Sequence, residues 1–161
     1  MRHFFLSLVY MMIIHSLLQA QIQPSTIFEI ESSIDARSDH YQNSILKNYP
    51  IRNVGPVIMS GRVSDIAVHP HDSKVFYTAF GSAGIFKTMN SGNTMFPIFD
   101  HAGGTLGIGD IVISDANPEV LWAGTGENNS SRSTYAGTGV YKSIDGGTSC
   151  EFVGLRNTQH I

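Results

Sequence analysis

The sequence has a single cysteine, Cys150, among its 161 residues. One thiol excludes an internal disulfide and any multi-cysteine metal site. Positive charge is scarce too: ten Lys and Arg stand against thirteen Asp and Glu, a formal net charge of -3. A nucleic-acid binder would show a basic patch or stripe, and none is present. Charged residues make up only 14% of the chain, which argues against a charged helical bundle or a disordered tail. Long apolar runs are missing as well, except at the N-terminus.

What is abundant is glycine, 16 residues, within a chain that is 42% hydrophobic. That balance suits a glycine-punctuated β protein. The exceptional segment is "MRHFFLSLVYMMIIHSLLQA", residues 1–20. A lone cation, Arg2, precedes an apolar run from Phe4 to Leu18 and a small residue, Ala20. This is the layout of a secretory signal cut before Gln21. The run is too short for a spanning helix, which needs about twenty apolar residues. The expected location is therefore secreted, periplasmic or cell-surface, with no stable membrane span after cleavage. Residues 21–50 are polar and weakly patterned. They read as a linker or leader with a short helix around Ser38–Lys47.

From Ile51 onward short β-rich runs alternate with glycine and proline turns, and a repeat is visible. "VSDIAVHPHDSKVFYTAFG" (63–81) aligns with "IGDIVISDANPEVLWAGTG" (108–126), 45 residues later. "GIFKTMNSGNTM" (84–95) aligns with "GVYKSIDGGTSC" (139–150), 55 residues later. The ten-residue difference is an insertion within 127–138. The expected strands are 63–68, 75–79, 84–88 and 94–99, then 108–113, 120–124, 139–143 and 149–153. Four short antiparallel strands every 40 to 50 residues describe a propeller blade. The fold class is thus all-β, a partial β-propeller of two four-stranded antiparallel blades, about 61–100 and 107–155. Runs such as "VFY" and "VLW" suit strands covered on both faces. Propellers close with about four to eight blades. "GLRNTQHI" leads toward a further first strand, so the chain reads as a truncated product, a fragment, or a half that self-associates.

Three stretches carry a family resemblance. "IRNVGPVIMSGRV" resembles W-R-x-I-G-P followed by G-R-V, with Ile51 in place of tryptophan. "GTGENNSSRSTYAGTGVYKSIDGG" resembles G-T-G-E-x-N … G-x-G-V-Y-K-S-x-D-G-G. "GLRNTQHI" resembles G-L-x-x-T-x-H-I. Together they are similar to the sortilin/VPS10-type and BNR (Asp-box) β-propellers, among them exported bacterial proteins called glycosyl hydrolase or sortilin-like. The Asp-box pattern is S-x-D-x-G-x-x-W. Ser143, Asp145 and Gly147 fit it, with Cys150 at the tryptophan position. The first unit has Thr88, Asn90, Gly92 and Met95 at the matching places. Such a box is structural: its side chains bind turn amides, and its aromatic fills space between strands.

The resemblance puts ligand contacts on the rim opposite the Asp-box turns. The insertion lies there and offers Glu127, Asn128, Arg132 and Tyr135. Arg62, in "SGRVSD", either pairs with Asp65 or binds an anionic group. A glycosidase needs two carboxylates across a cleft. Glu127 would be one, with Asp110 or Asp100 as the second, although Asp65 and Asp110 share a repeat position and so suggest structure. Xyloglucanase-type propellers, which resemble this chain, place a catalytic Asp in T-D-x-G-G-A-Y-R. Here the stretch is "FGSAGIFK", with Gly81 at that place, which implies that this base is absent. His69 and His71 flank a proline turn with no third metal ligand, and "GGTLGIG" (103–109) lacks the P-loop lysine. No metal or cofactor is expected. The expected role is a protein- or glycan-binding module, with the N-terminal part of a BNR-repeat glycoside hydrolase as the alternative.

Overall fold

The computed structural model describes residues 25–49, 61–128 and 134–161. The signal-like segment, the opening "IRNVGPVIMS" motif and Arg132 lie outside the described residues. Among the described residues, no helix is long and apolar enough to cross a membrane.

The body is all-β, a partial propeller of two blades. Strands β1 (Val63–Val68), β2 (Phe76–Phe80), β3 (Gly84–Thr88) and β4 (Phe96–Pro97) form one antiparallel sheet in that order. Strands β5 (Ile108–Ile113), β6 (Leu121–Thr125), β7 (Val140–Ser143) and β8 (Glu151–Gly154) form the other. Small departures from the expected bounds have local causes. β2 and β6 start one residue late because Val75 and Val120 donate their amides to Asp72 and Asn117 carbonyls and so close the preceding turns. β4 shrinks to two residues, and its Pro97 has no amide to give the ladder.

The two sheets pack face to face. Tyr77, Ala79 and Ile85 of the first sheet meet Ile108, Ile113, Leu121 and Tyr141 of the second. Phe99, from the connection between sheets, packs edge-on to Tyr141 at 5.2 Å between ring centroids. Burying one such side chain stabilises by about 1.5–3 kcal/mol. The expectation of strands covered on both faces fails for β6. Trp122 is partly exposed there, and its neighbour across the ladder, Val112, is exposed.

Polar contacts tie the same two sheets. The Gly146 carbonyl accepts from the Tyr77 hydroxyl at 3.0 Å and from Lys87 Nζ at 2.8 Å. Asp65 Oδ2 accepts from the Ile111 amide at 3.0 Å. Asp65 and Asp110 sit at matching bulges, where each first strand shifts register. The Asp110 pKa is raised, chiefly by its hydrogen bond with Asp65, then by burial and the Asp65 charge.

Residues 27–43 correct the leader reading. Helix α1 spans Ile27–Asn43 rather than a short stretch around Ser38–Lys47, and residues after Ser44 form turns. The Glu29 amide donates to Thr26 Oγ1 and the Thr26 amide to Glu29 Oε2, a complete capping box. None of its residues is buried. It rests on the connection between the sheets: Arg37 donates to the Gly103 carbonyl, and the Tyr41 and His101 rings lie 5.7 Å apart.

The β3–β4 and β7–β8 turns are built alike. Ser143 Oγ accepts from the Gly147 amide at 2.8 Å and donates to Asp145 Oδ1 at 2.7 Å. Thr88 Oγ1 accepts from the Gly92 amide at 2.9 Å and donates to Asn90 Oδ1 at 3.1 Å. Asn90 therefore replaces the aspartate without loss of the turn. Cys150 packs against the core, its Sγ 3.9 Å from the Ile98 carbonyl oxygen, and Met95 is half-buried.

Two predictions follow from these turns. Hydrogen bonds from Ser149 and Ser143 hold the Asp145 carboxyl down at about 2, below the usual value of about 4. The stability it contributes is present above pH about 4 and is lost as pH falls toward about 2. A carboxyl resonance titrating at the ordinary value would contradict this. Burial first, and then the Asp145 charge, pushes the Cys150 thiol up to about 11. At pH 8 it is expected to react with a disulfide reagent at least tenfold more slowly than the unfolded chain, measured by absorbance.

Candidate rim site

The antiparallel order sorts the connections between two rims. The turns joining β1 to β2, β3 to β4, β5 to β6 and β7 to β8 share one. The amide of Gly146 in the β7–β8 turn donates to the Glu119 carbonyl beside the β5–β6 turn. The β2–β3 and β6–β7 connections and the approach to β1 share the other. Arg62 precedes β1, Gly81 follows β2 and Glu127 follows β6, so all three reach this second rim.

Glu127 is the centre of the site. Its side chain is 3% exposed although it lies on a loop. Arg62, with a side chain 42% exposed, forms an ion pair with Glu127 Oε1. Glu127 Oε2 is buried with no hydrogen-bond partner among the described residues. A buried carboxylate oxygen in that condition costs roughly 1–3 kcal/mol or more. An arriving O–H or N–H donor would offset the cost.

The backbone fixes this geometry. The Glu127 amide donates to the Tyr135 carbonyl at 2.9 Å, which pins the two ends of the insertion together. The Gly81 amide donates to the Arg62 carbonyl at 3.0 Å, holding the approach to β1 against the end of β2. Gly81 also clears space: a Cβ there would lie 2.7 Å from Glu127 Oε1. Any side chain at 81 would push the carboxylate away from Arg62.

The proposed residues therefore separate. Glu127 and Arg62 are in contact, and Tyr135, half-exposed, is joined to Glu127 through its backbone carbonyl. Asn128 follows Glu127 and is exposed. Arg132 lies outside the described residues. The pairing of Arg62 with Asp65 is corrected: Arg62 takes Glu127, while Asp65 binds the Ile66 and Ile111 amides. Asp110 is occupied with Asp65 at the sheet junction, and Asp100 Oδ1 lies 3.9 Å from where a Cβ on Gly84 would stand. Neither is brought to Glu127 by a contact among the described residues. Gly81 and Gly107 are the members that residue-type reasoning missed. A Cβ on Gly107 would come within 3.2 Å of the Gly81 carbonyl; the sequence reading met Gly81 only as the place of an absent Asp and Gly107 only within "GGTLGIG", without giving either a part in the site. His69 and His71 stack edge-on with each other on their turn. Among the described residues no group of three or more His, Cys, Asp or Glu is placed to hold a metal ion.

No family model matches the chain, and no curated protein matches it. Among solved structures, the GH74 enzyme of Niastella koreensis is 22% identical over 61% of this chain, with a TM-score of 0.43. An ancestral GH74 enzyme is 15% identical over 65% of it, with a TM-score of 0.38. This chain spans 14% and 20% of those two proteins.

The ion pair gives a stability prediction. Arg62→Ala leaves the Glu127 charge buried alone and is expected to cost about 1–3 kcal/mol, between the surface and buried cases. Adding Glu127→Gln should recover part of that loss. Denaturant unfolding of the two single variants and the double variant measures the coupling, and strictly additive effects would contradict the pairing.

Proposed function

We propose that this chain is an exported, sortilin/BNR-like propeller segment that binds a protein or glycan ligand through the Glu127 rim. The observation that supports this reading is the buried Glu127 Oε2, which has no hydrogen-bond partner among the described residues, beside a half-exposed arginine. Sugar hydroxyls and peptide amides supply the donor that the oxygen lacks. Arg62 sets positive charge beside this carboxylate, and the half-exposed Tyr135 offers an aromatic surface for stacking. Asn128 and Arg132, in the same loop, add donors in this reading. Export rests on the layout of residues 1–20.

A second reading has one observation in its favour. The Glu127 carboxylate lies against Gly81, the position aligned with the catalytic Asp of xyloglucanase-type propellers. In that reading the chain is the N-terminal part of a glycoside hydrolase, and Glu127 supplies one of two carboxylates.

Glycan and peptide arrays probed with the full chain separate the two readings. Binding is expected, and it should fall at least tenfold in Glu127→Gln and when 127–138 is shortened. Circular dichroism should show that both variants keep their strands. Absence of binding on both arrays sinks the first reading. Glycan turnover that disappears in Glu127→Gln favours the second.

A further inference from the structure

Helix α1 lies on the rim that carries Glu127. The β4–β5 connection and the segment after β8 reach that rim, and α1 touches both. Arg37 donates to the Gly103 carbonyl. A Cβ on Gly104 would stand 3.0 Å from Ile34 Cγ1 and 3.3 Å from Thr138 Cγ2, so Ile34 and Thr138 flank one bare glycine. Glu31 Oε1 lies 4.0 Å from Arg156 Nε.

Arg156 is the joint between α1 and the insertion. Its side chain is 16% exposed, and its guanidinium lies 3.5 Å from the centroid of the Phe152 ring. Nη1 donates to the Thr138 carbonyl at 3.1 Å and to the Tyr141 hydroxyl at 3.2 Å. Nε is buried with no hydrogen-bond partner among the described residues, and Glu31 is the counter-charge that faces it. A cation so far from water is costly once its counter-charge leaves. Thr138, which Arg156 holds, is tied twice more. Its amide donates to Thr125 Oγ1 at 2.7 Å, and its hydroxyl shares a hydrogen bond of 2.9 Å with Tyr141. Thr138 stands at one end of a short limb. Tyr135 stands at the other, and its carbonyl accepts the Glu127 amide.

The helix itself is lightly held. It buries none of its 17 residues, and an isolated helix of this length and mixed composition is marginal in water. Such elements open at low free energy while the rest of the fold stays closed.

We propose that α1 is a releasable strap that orders the 134–139 limb, with Arg156 as the element that responds. Docked, Glu31 keeps Arg156 turned in on Thr138 and Tyr141. Released, Arg156 turns out to water, the Thr138 carbonyl loses its donor, and the Tyr135 end of the limb loosens over Glu127. The purpose of the strap rests on the reading of this rim as a ligand site: α1 then sets how fully that site is formed. Glu31 is more than half exposed, so salt weakens the docking.

Amide hydrogen exchange on the full chain, with no ligand added, tests this. Glu31→Gln removes the counter-charge and leaves the capping box of Thr26 and Glu29 in place. The amides of α1 should then exchange roughly tenfold faster, and those of Glu127, Gly137 and Thr138 roughly threefold faster. The amides of Tyr77 and Ala79 in β2 should be unchanged, which shows that the fold is intact. Raising the salt concentration on the wild type should have the same effects as Glu31→Gln. Arg156→Gln should speed the Thr138 amide alone, and adding Glu31→Gln to it should speed that amide no further. Unchanged α1 amides in Glu31→Gln, faster α1 amides beside unchanged limb amides, or additive effects of the two substitutions would each overturn the proposal. Coupled exchange with silent arrays counts against the ligand reading alone, and array binding with uncoupled exchange counts against the strap alone.

Discussion

A four-stranded sheet of this size has two apolar faces and no means of covering either by itself, and the structure follows from that constraint. The first sheet covers one face with the second. That choice sets the positions of Tyr77, Ile85, Ile108 and Leu121, and it brings the β7–β8 turn over Tyr77 and Lys87. The bulges at Asp65 and Asp110 serve the same end. Each turns a carboxylate along the first strand, where the Asp65 carboxylate reaches the amide of the neighbouring sheet. The turns, often read as decoration on the strands, are part of how the sheets hold one another.

The rim site depends on that arrangement at one remove. Arg62 and Glu127 are far apart in sequence and belong to different sheets. They meet because the sheets are stacked in register, and because Gly81 and Gly107 leave room between them. A charge pair across a sheet junction binds the two blades and shapes the surface above them.

The strands were largely legible in the sequence because a repeat supplies two readings of every element. Apolar runs at offsets of 45 and 55 residues located all eight strands to within one or two residues at most ends. The likeness of the β3–β4 and β7–β8 turns was legible for the same reason, with Asn90 standing where the second turn has Asp145. Helix α1 was not found by periodicity, since it buries none of its residues. The sequence Thr26-Ile27-Phe28-Glu29 does spell its capping box, and that local signal could have located its start. The partner of Arg62 was not legible: Asp65 is three residues away and Glu127 is sixty-five, and only the stacking of two sheets prefers the second. The open face of β6 was missed because "VLW" and "VFY" are both runs of large apolar residues, whereas burial depends on which sheet lies opposite.

Trp122 gives that open face a practical meaning. It is the chain's one tryptophan, and it stands outside the core with a lysine ammonium over its ring. The indole emission of this protein is therefore a surface signal. Its wavelength and its accessibility to quenchers follow what lies against the β5–β8 sheet, while the interior between the sheets is populated by tyrosine and phenylalanine, whose light is weak beside it. A spectroscopist following tryptophan here watches the molecule's contacts more closely than its folding.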